Sequence, residues 1–354
     1  MTQRQTTILG FATLVAVLAA IWVLFGETTE TEPELRPLFA NLERQVRAVT
    51  TLEIEGQDTA VTLRRTDGAW TVAERGDYPA ARSKISDLLR GLVAAERLQR
   101  KTADPALLPE IGLGDEATTL VLRDEAGERV AALNVGVRQV GSVGQDSETF
   151  VRRPDEEASW TVSALPSVSA DPVDWLAKDV FDLARTRVAT LSIRHGDGET
   201  VTITRDAPDG DFRLAGLAED ETIKRMPGPE APVTALTFIN LKDVAPAGTK
   251  DFSDAPVVVE LAAFDGLTVT AEIWPQDDAA WARLSAAYDP DRAAASDAPQ
   301  AMPDAPADGA AEAQTLNRRW SGWIYALPAY KGDDLTLRRD DLVEPADETQ
   351  DGEQ

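Results

Sequence analysis

Histidine is the side chain best suited to moving a proton near neutral pH, and this chain has one, His195, in the run Arg194-His195-Gly196-Asp197-Gly198-Glu199. With Asp197 two residues on to orient the ring, His195 could act as a general base toward a Ser or Thr nucleophile. The same residues spell a turn, because Gly-Asp-Gly after a strand is turn chemistry, and the turn is the expected reading. An upstream segment of the same pattern carries Gly56-Gln57-Asp58 and no histidine. A zinc site needs three protein ligands, usually His, Cys or carboxylate, and one His with no Cys does not assemble one.

Calcium asks only for oxygens, and Asp206-Ala207-Pro208-Asp209-Gly210-Asp211 offers several. Proline stands inside that run and no Glu follows at the twelfth position, so a hairpin connection is expected instead. Gly136 with Gly141-Ser142-Val143-Gly144 fits neither the dinucleotide fingerprint nor the phosphate loop and reads as a loop, and no Gly-x-Ser-x-Gly elbow occurs. Paired carboxylates for glycoside hydrolysis are defined by a distance in space, and 61 Asp and Glu make their presence in sequence uninformative. No catalytic, cofactor-binding or metal-ligating residue is therefore assigned, and the expectation is a protein that is not an enzyme and uses no cofactor. Trp320, Trp323, Tyr325 and Tyr330 cluster late in the chain, where Trp323, Tyr325 and Leu327 alternate on one strand face. Core packing is the expected role and a partner patch the alternative, while Trp70 and Trp160 read as core.

The elements around these residues are mostly short strands. Val49 to Glu55, Ala60 to Arg65 and Ala69 to Ala73 alternate with period two, joined at Gly56-Gln57-Asp58 and Asp67-Gly68, and an Asp-Gly between such runs signals a hairpin. Tyr78-Pro79-Ala80 leads into Ile85, Leu88, Leu89, Leu92 and Val93, the spacing of a helix with one apolar face. Strands return at Thr118 to Arg123, Arg129 to Val135, Phe150 to Arg152 and Trp160 to Val162. The spacing of Val173, Leu176, Val180 and Leu183 predicts a helix over Pro172 to Leu183.

The pattern then repeats in order. Val49 to Ile54 returns at Val188 to Ile193, Val61 to Leu63 at Val201 to Ile203, and Trp70 to Val72 at Phe212 to Leu214; the helix at Leu89 to Leu92 returns at Leu236 to Ile239. The hairpin from Thr118 returns from Pro256, and Trp160 to Ser167 returns at Trp323 to Tyr330. The last offset exceeds its predecessor by 25 residues, the length of the Ala-, Asp- and Pro-rich run 289–313. That run has too little apolar surface to offset its ordering entropy and is expected to be a disordered insertion. The expected class is α+β: an N-terminal transmembrane helix followed by two tandem related modules of antiparallel sheet with covering helices. The divisions are 1–26 for a cytoplasmic stub and membrane anchor, 27–46 for an acidic linker, 47–185 and 186–343 for the modules, and 344–354 for a disordered acidic tail.

Membrane anchoring rests on Ile8 to Phe25, 18 residues without a charge. As a helix it covers roughly 27 Å, near the ~30 Å hydrocarbon core. Arg4 precedes it and Glu27, Glu30, Glu32 and Glu34 follow, which places the N-terminus in the cytoplasm and the bulk of the chain outside. A cleaved secretory signal and a buried core helix are the competing readings; Phe25-Gly26-Glu27-Thr28 offers no A-x-A pattern for cleavage. The formal charge of −26 lies half in the linker, the insertion and the tail, so it describes solvated segments more than a binding face. Acidity still argues against a nucleic-acid partner, whose phosphates require clustered Lys and Arg.

Over roughly residues 50 to 335 the chain resembles the bacterial domain-of-unknown-function family DUF4340. The likeness lies in the N-terminal membrane segment, Asp67-Gly68-Ala69-Trp70, Tyr78-Pro79-Ala80, Ile111-Gly112-Leu113 and Asp174-Trp175-Leu176-Ala177-Lys178. It departs in the second half, where Glu230-Ala231-Pro232 stands for Tyr-Pro-Ala. The resemblance implies a single-pass protein of the bacterial inner membrane with a periplasmic bulk. It also implies association with an ABC transport system similar to the gliding-motility type, the partner being a permease or auxiliary subunit. A membrane-tethered hydrolase or carbohydrate-acting enzyme, or an envelope scaffold, are the alternatives.

Overall fold

The structure, a computed structural model, describes residues 36–140, 147–295, 306 and 308–345. The class is mixed α+β with antiparallel sheets. Contacts divide the chain into two compact units, the first from Met1–Val49 and Asp87–Val168, the second from Thr50–Ser86 and Ser169–Gln354.

In the first unit, six strands lie in the order Arg36–Pro37, Glu96–Arg100, Trp160–Val162, Glu148–Arg152, Arg129–Gln139, Thr118–Asp124, each antiparallel to its neighbour. The Thr118–Asp124 and Arg129–Gln139 strands form a hairpin whose turn is built by Asp124. Its Oδ1 accepts the Ala126 and Glu128 amides at 3.0 and 2.9 Å, and Gly127 supplies a φ of +79°. Gly112, at +70°, lies so close to Val137 that a Cβ would sit 2.8 Å from its backbone nitrogen, which is why Ile111-Gly112-Leu113 needs its glycine.

The second unit contains the meander Val49–Glu55, Ala60–Thr66, Ala69–Val72, Tyr78–Pro79. Asp67 and Gly68 both take positive φ, 52° and 82°, so the Asp-Gly signal delivers its hairpin. Leu52, Ile54, Val61 and Leu63 alternate onto one buried face, each contributing ~1.5–3 kcal/mol of burial. An eight-stranded sheet follows, ordered Arg213–Leu214, Thr200–Thr204, Val188–Arg194, Val257–Ala263, Leu267–Pro275, Ala279–Tyr288, Trp323–Pro328, Asp243–Pro246. Along Leu267–Pro275, Leu267, Val269, Ala271 and Ile273 are fully buried on one face, with more exposed residues between them. The helix Arg82–Ala94, which belongs to the first unit from Asp87 onward, buries Ile85, Leu88 and Leu92, as its spacing predicts.

Several expectations need correction. Pro172–Leu183 is not one helix: a 3₁₀ turn at Pro172–Trp175, capped by Asp171 accepting the Val173 amide, gives way to the strand Asp179–Asp182. That strand pairs with Phe238–Asn240, so Ile239 also leaves the helix, which spans Glu230–Thr237. The run 289–313 is helical at both ends. Asp289 caps Pro290–Ala295, and Asp308 caps Gly309–Trp320 by accepting the Ala311 amide at 3.0 Å. Alanine is the best helix former, so a run too poor in apolar surface for a core can still form helices once capped.

The linker is packed from Arg36 onward, since Arg36–Pro37 pairs with Glu96–Arg97 and Leu38 and Leu42 are buried. At the other end, Glu344 and Pro345 belong to the strand Val343–Pro345, paired with Glu221–Ile223. The uncharged run 8–25, the linker up to residue 35, residues 296–305 and the tail from 346 lie outside the described residues. Among the described residues no helix is long and apolar enough to cross a membrane.

Candidate functional site

His195 is buried in its turn, where its backbone N–H donates to Glu199 O at 2.9 Å, and its Nε2 lies 3.3 Å from Leu337 O. A hydrogen on Nε2 donates to that carbonyl, which makes the ring a strut between the turn and the chain near Leu337. Asp197 does not orient it. Its Oδ1 accepts the Glu199 amide at 3.1 Å and its Oδ2 pairs with Arg338 at 2.9 Å. The Glu199 amide and the Arg338 guanidinium hold the Asp197 carboxyl below its ordinary range. Glu199 is lowered by the Arg339 amide and by Arg338, and Glu221 by the Ala218 amide and Arg339. The proton-transfer candidate is thus an ion-paired turn.

In the Asp206–Asp211 run, one carbonyl is already taken by a cation, Arg205. Arg205 donates to Val188 O at 2.6 Å and to Pro208 O at 2.8 Å, while Asp206 pairs with Arg213. Among the described residues no group of three His, Cys, Asp or Glu side chains is arranged to hold a metal. Gly136 lies inside the Arg129–Gln139 strand, where a Cβ would stand 2.3 Å from Ile111 O; its role is close packing. Residues 141–144 lie outside the described residues.

The late aromatics divide. Trp320 and Tyr325 are fully buried, Trp320 donating from Nε1 to Val180 O at 3.2 Å and meeting Phe181 edge-on. Tyr78 packs edge-on against Trp323 at 5.0 Å and Tyr325 at 6.3 Å. Burial pushes the Tyr78 phenol up to about 12 and raises Tyr325 too, so both remain neutral core rings. Tyr330 alone of the four is exposed, at 62%.

Two clefts, one in each unit, are features that pattern reading misses. The first, about 690 Å³, has Glu96 at the start of a strand on one wall and Arg138 with Ser147 at a hairpin end on another; Ser163 to Pro166 close it. Ala164 there holds a φ of +61°, a left-handed value rare outside glycine. The second, about 650 Å³, has Asp243 at the start of a strand, Gln276 to Ala279 at a hairpin end, and Ala326 opposite. Lys242 Nζ donates to Asp278 O at 2.9 Å, and Lys250 lies over the Trp281 ring at 4.5 Å. Each wall comes from a different strand or loop, so no local spacing in sequence marks either cleft.

Three of the described segments that carry the family likeness meet in space. Ala80 N donates to Trp70 O at 2.8 Å, Ala81 N to Trp175 O at 2.7 Å, and Ala177 N to Pro79 O at 2.9 Å. Trp175 is fully buried, its Nε1 donating to Ser169 O at 2.8 Å, with Lys84 over its ring. Asp-Gly-x-Trp, Tyr-Pro-Ala and the Asp174–Lys178 segment thus tie one corner of the second unit by backbone hydrogen bonds. The chain belongs to the family described as Domain of unknown function (DUF4340), which matches residues 70–250. No curated protein and no solved structure matches it.

Proposed function

We propose that this chain is a membrane-anchored, extracytoplasmic accessory protein that works without catalysis beside a gliding-motility-like ABC transport system. In this reading it crosses the bacterial inner membrane once, with its N-terminus in the cytoplasm, and presents two tandem related α+β modules in the periplasm to a permease or auxiliary subunit. The observation that carries the anchoring is the charge-free run Ile8 to Phe25, ahead of four glutamates within eight residues.

Support for the duplication comes from strand order. Val188–Arg194, Thr200–Thr204 and Arg213–Leu214 follow one another as Val49–Glu55, Ala60–Thr66 and Ala69–Val72 do. Val257–Ala263, Leu267–Pro275 and Ala279–Tyr288 likewise parallel Thr118–Asp124, Arg129–Gln139 and Glu148–Arg152. The helix Glu230–Thr237 stands where Arg82–Ala94 stands between the two sets.

Two measurements test the reading. A reporter active only outside the cytoplasm, fused after Gln354, gives signal; a reporter active only inside does not. Affinity purification of the full chain in mild detergent recovers a transporter membrane subunit in stoichiometric yield. Cytoplasmic signal overturns the topology, and recovery of the chain alone overturns the transporter association.

A further inference from the structure

We propose that Phe238 and Tyr330, with Asp334 beside them, form a docking surface for an arginine-bearing polypeptide segment of a partner protein. The inference uses residues of the second unit alone, between Asp182 and Asp334, and does not depend on the transporter reading.

Phe238 and Tyr330 are the only exposed aromatic rings among the described residues, at 46% and 62%. They come from elements far apart in sequence and meet at one side chain. Phe238 follows the helix Glu230–Thr237 and opens the strand Phe238–Asn240, while Tyr330 lies in the first turn of the helix Ala329–Leu335, which packs on Glu230–Thr237. Lys331, itself buried, joins the two. Its Nζ donates to Phe238 O and lies 5.6 Å from the Phe238 ring centre and 5.7 Å from that of Tyr330. A single exposed apolar residue is ordinary, but two rings gathered around one anchored cation make a patch.

Asp334 supplies the charge. It is half-buried in the same helix and, among the described residues, makes no hydrogen bond or ion pair; the nearby ammonium of Lys331 is directed to the Phe238 carbonyl instead. Burial and the neighbouring Asp333 hold the Asp334 carboxyl above its ordinary range, and Lys331 offsets only part of this. Asp182, opposite Phe238 in the strand pair, is a further exposed carboxylate on the same face. Three acids around one committed cation favour a positive partner.

Rings and carboxylate together select arginine. A guanidinium stacks flat on an aromatic face while its edge donates to a carboxylate, a pairing that the compact ammonium of lysine does not reproduce. Aromatic residues and arginine are also where interface energy concentrates. A phosphate or other anionic ligand meets Asp182, Asp333 and Asp334 as like charges.

The probe is the blocked, dye-labelled peptide Ala-Leu-Arg-Ala-Arg-Leu-Ala, read by fluorescence anisotropy against the full chain in mild detergent, beside a version in which citrulline replaces both arginines. The arginine peptide binds saturably. Replacement by citrulline, Y330A and D334N each weaken binding about tenfold or more, and D277N, which removes an exposed carboxylate elsewhere in the unit, leaves it unchanged. Both test positions tolerate the change, Tyr330 because it is exposed and Asp334 because the amide is neutral and nearly the same size. No saturable binding, equal binding of the citrulline peptide, wild-type affinity in Y330A or D334N, or an equal loss in D277N overturns the proposal. So does self-association of the chain that Y330A abolishes, which gives the surface to a second copy.

Discussion

Arg187 is the most deeply buried cation with two carboxylate partners among the described residues, and removing it tests how the second unit is held. Its Nε meets Asp265 at 2.7 Å, and its Nη1 and Nη2 take both oxygens of Glu312 at 2.8 and 2.7 Å; the three side chains are 6%, 12% and 17% exposed. Burial alone would lower the guanidinium's pKa, but Glu312 and Asp265 overcome it and hold the group above its ordinary value. Arg187→Ala leaves two carboxylates in a water-poor site with no counter-ion, a loss of about 3–5 kcal/mol. At about 2–4 °C per kcal/mol for a domain of this size, Tm falls by roughly 6–20 °C. Thermal melts of the full chain by far-UV circular dichroism at neutral pH measure it. The triple variant Arg187→Met, Asp265→Asn, Glu312→Gln recovers most of the loss, because burying no charge is cheaper than burying an unpaired one. A shift under about 2 °C for R187A, or a triple variant no more stable than R187A, refutes the account.

Two further outcomes follow from the same geometry. Asp197 and Glu199 have folded pKa values below their unfolded ones, so their stabilisation is present above about pH 4 and is lost as pH falls through the folded values. Arg338→Gln moves both back toward ordinary carboxylates and flattens the fall in Tm between about pH 5 and pH 3; melts across that window with the wild-type slope count against it. Gly91 sits in the helix Arg82–Ala94 with room for nothing more, since a Cβ would lie 2.3 Å from Pro166 Cδ and 2.8 Å from Ala164 O. Gly91→Ala therefore lowers stability by ~1–3 kcal/mol, against the ~1 kcal/mol gain that helix propensity alone would give. A denaturant midpoint that rises would show that the helix tolerates the methyl group.

The elements legible in sequence are those whose periodicity and whose partner are both local. Val49–Glu55 and Ala60–Thr66 alternate cleanly and are joined by a short turn, so pattern and structure agree. Pro172 to Leu183 shows where this fails. Val173, Leu176, Val180 and Leu183 have helical spacing, yet Val180 and Phe181 are both buried because Asp179–Asp182 finds a strand partner nearly sixty residues away. That partner also ends the Glu230–Thr237 helix early, so one long-range pairing accounts for both departures. His195 and Asp197 were legible as a turn, but the reason they cannot act together lies at Leu337 and Arg338, about 140 residues on. The grouping of Thr50–Ser86 with the second half of the chain is carried by contacts such as Arg75 to Asp243 and Tyr78 to Trp323, which no spacing announces.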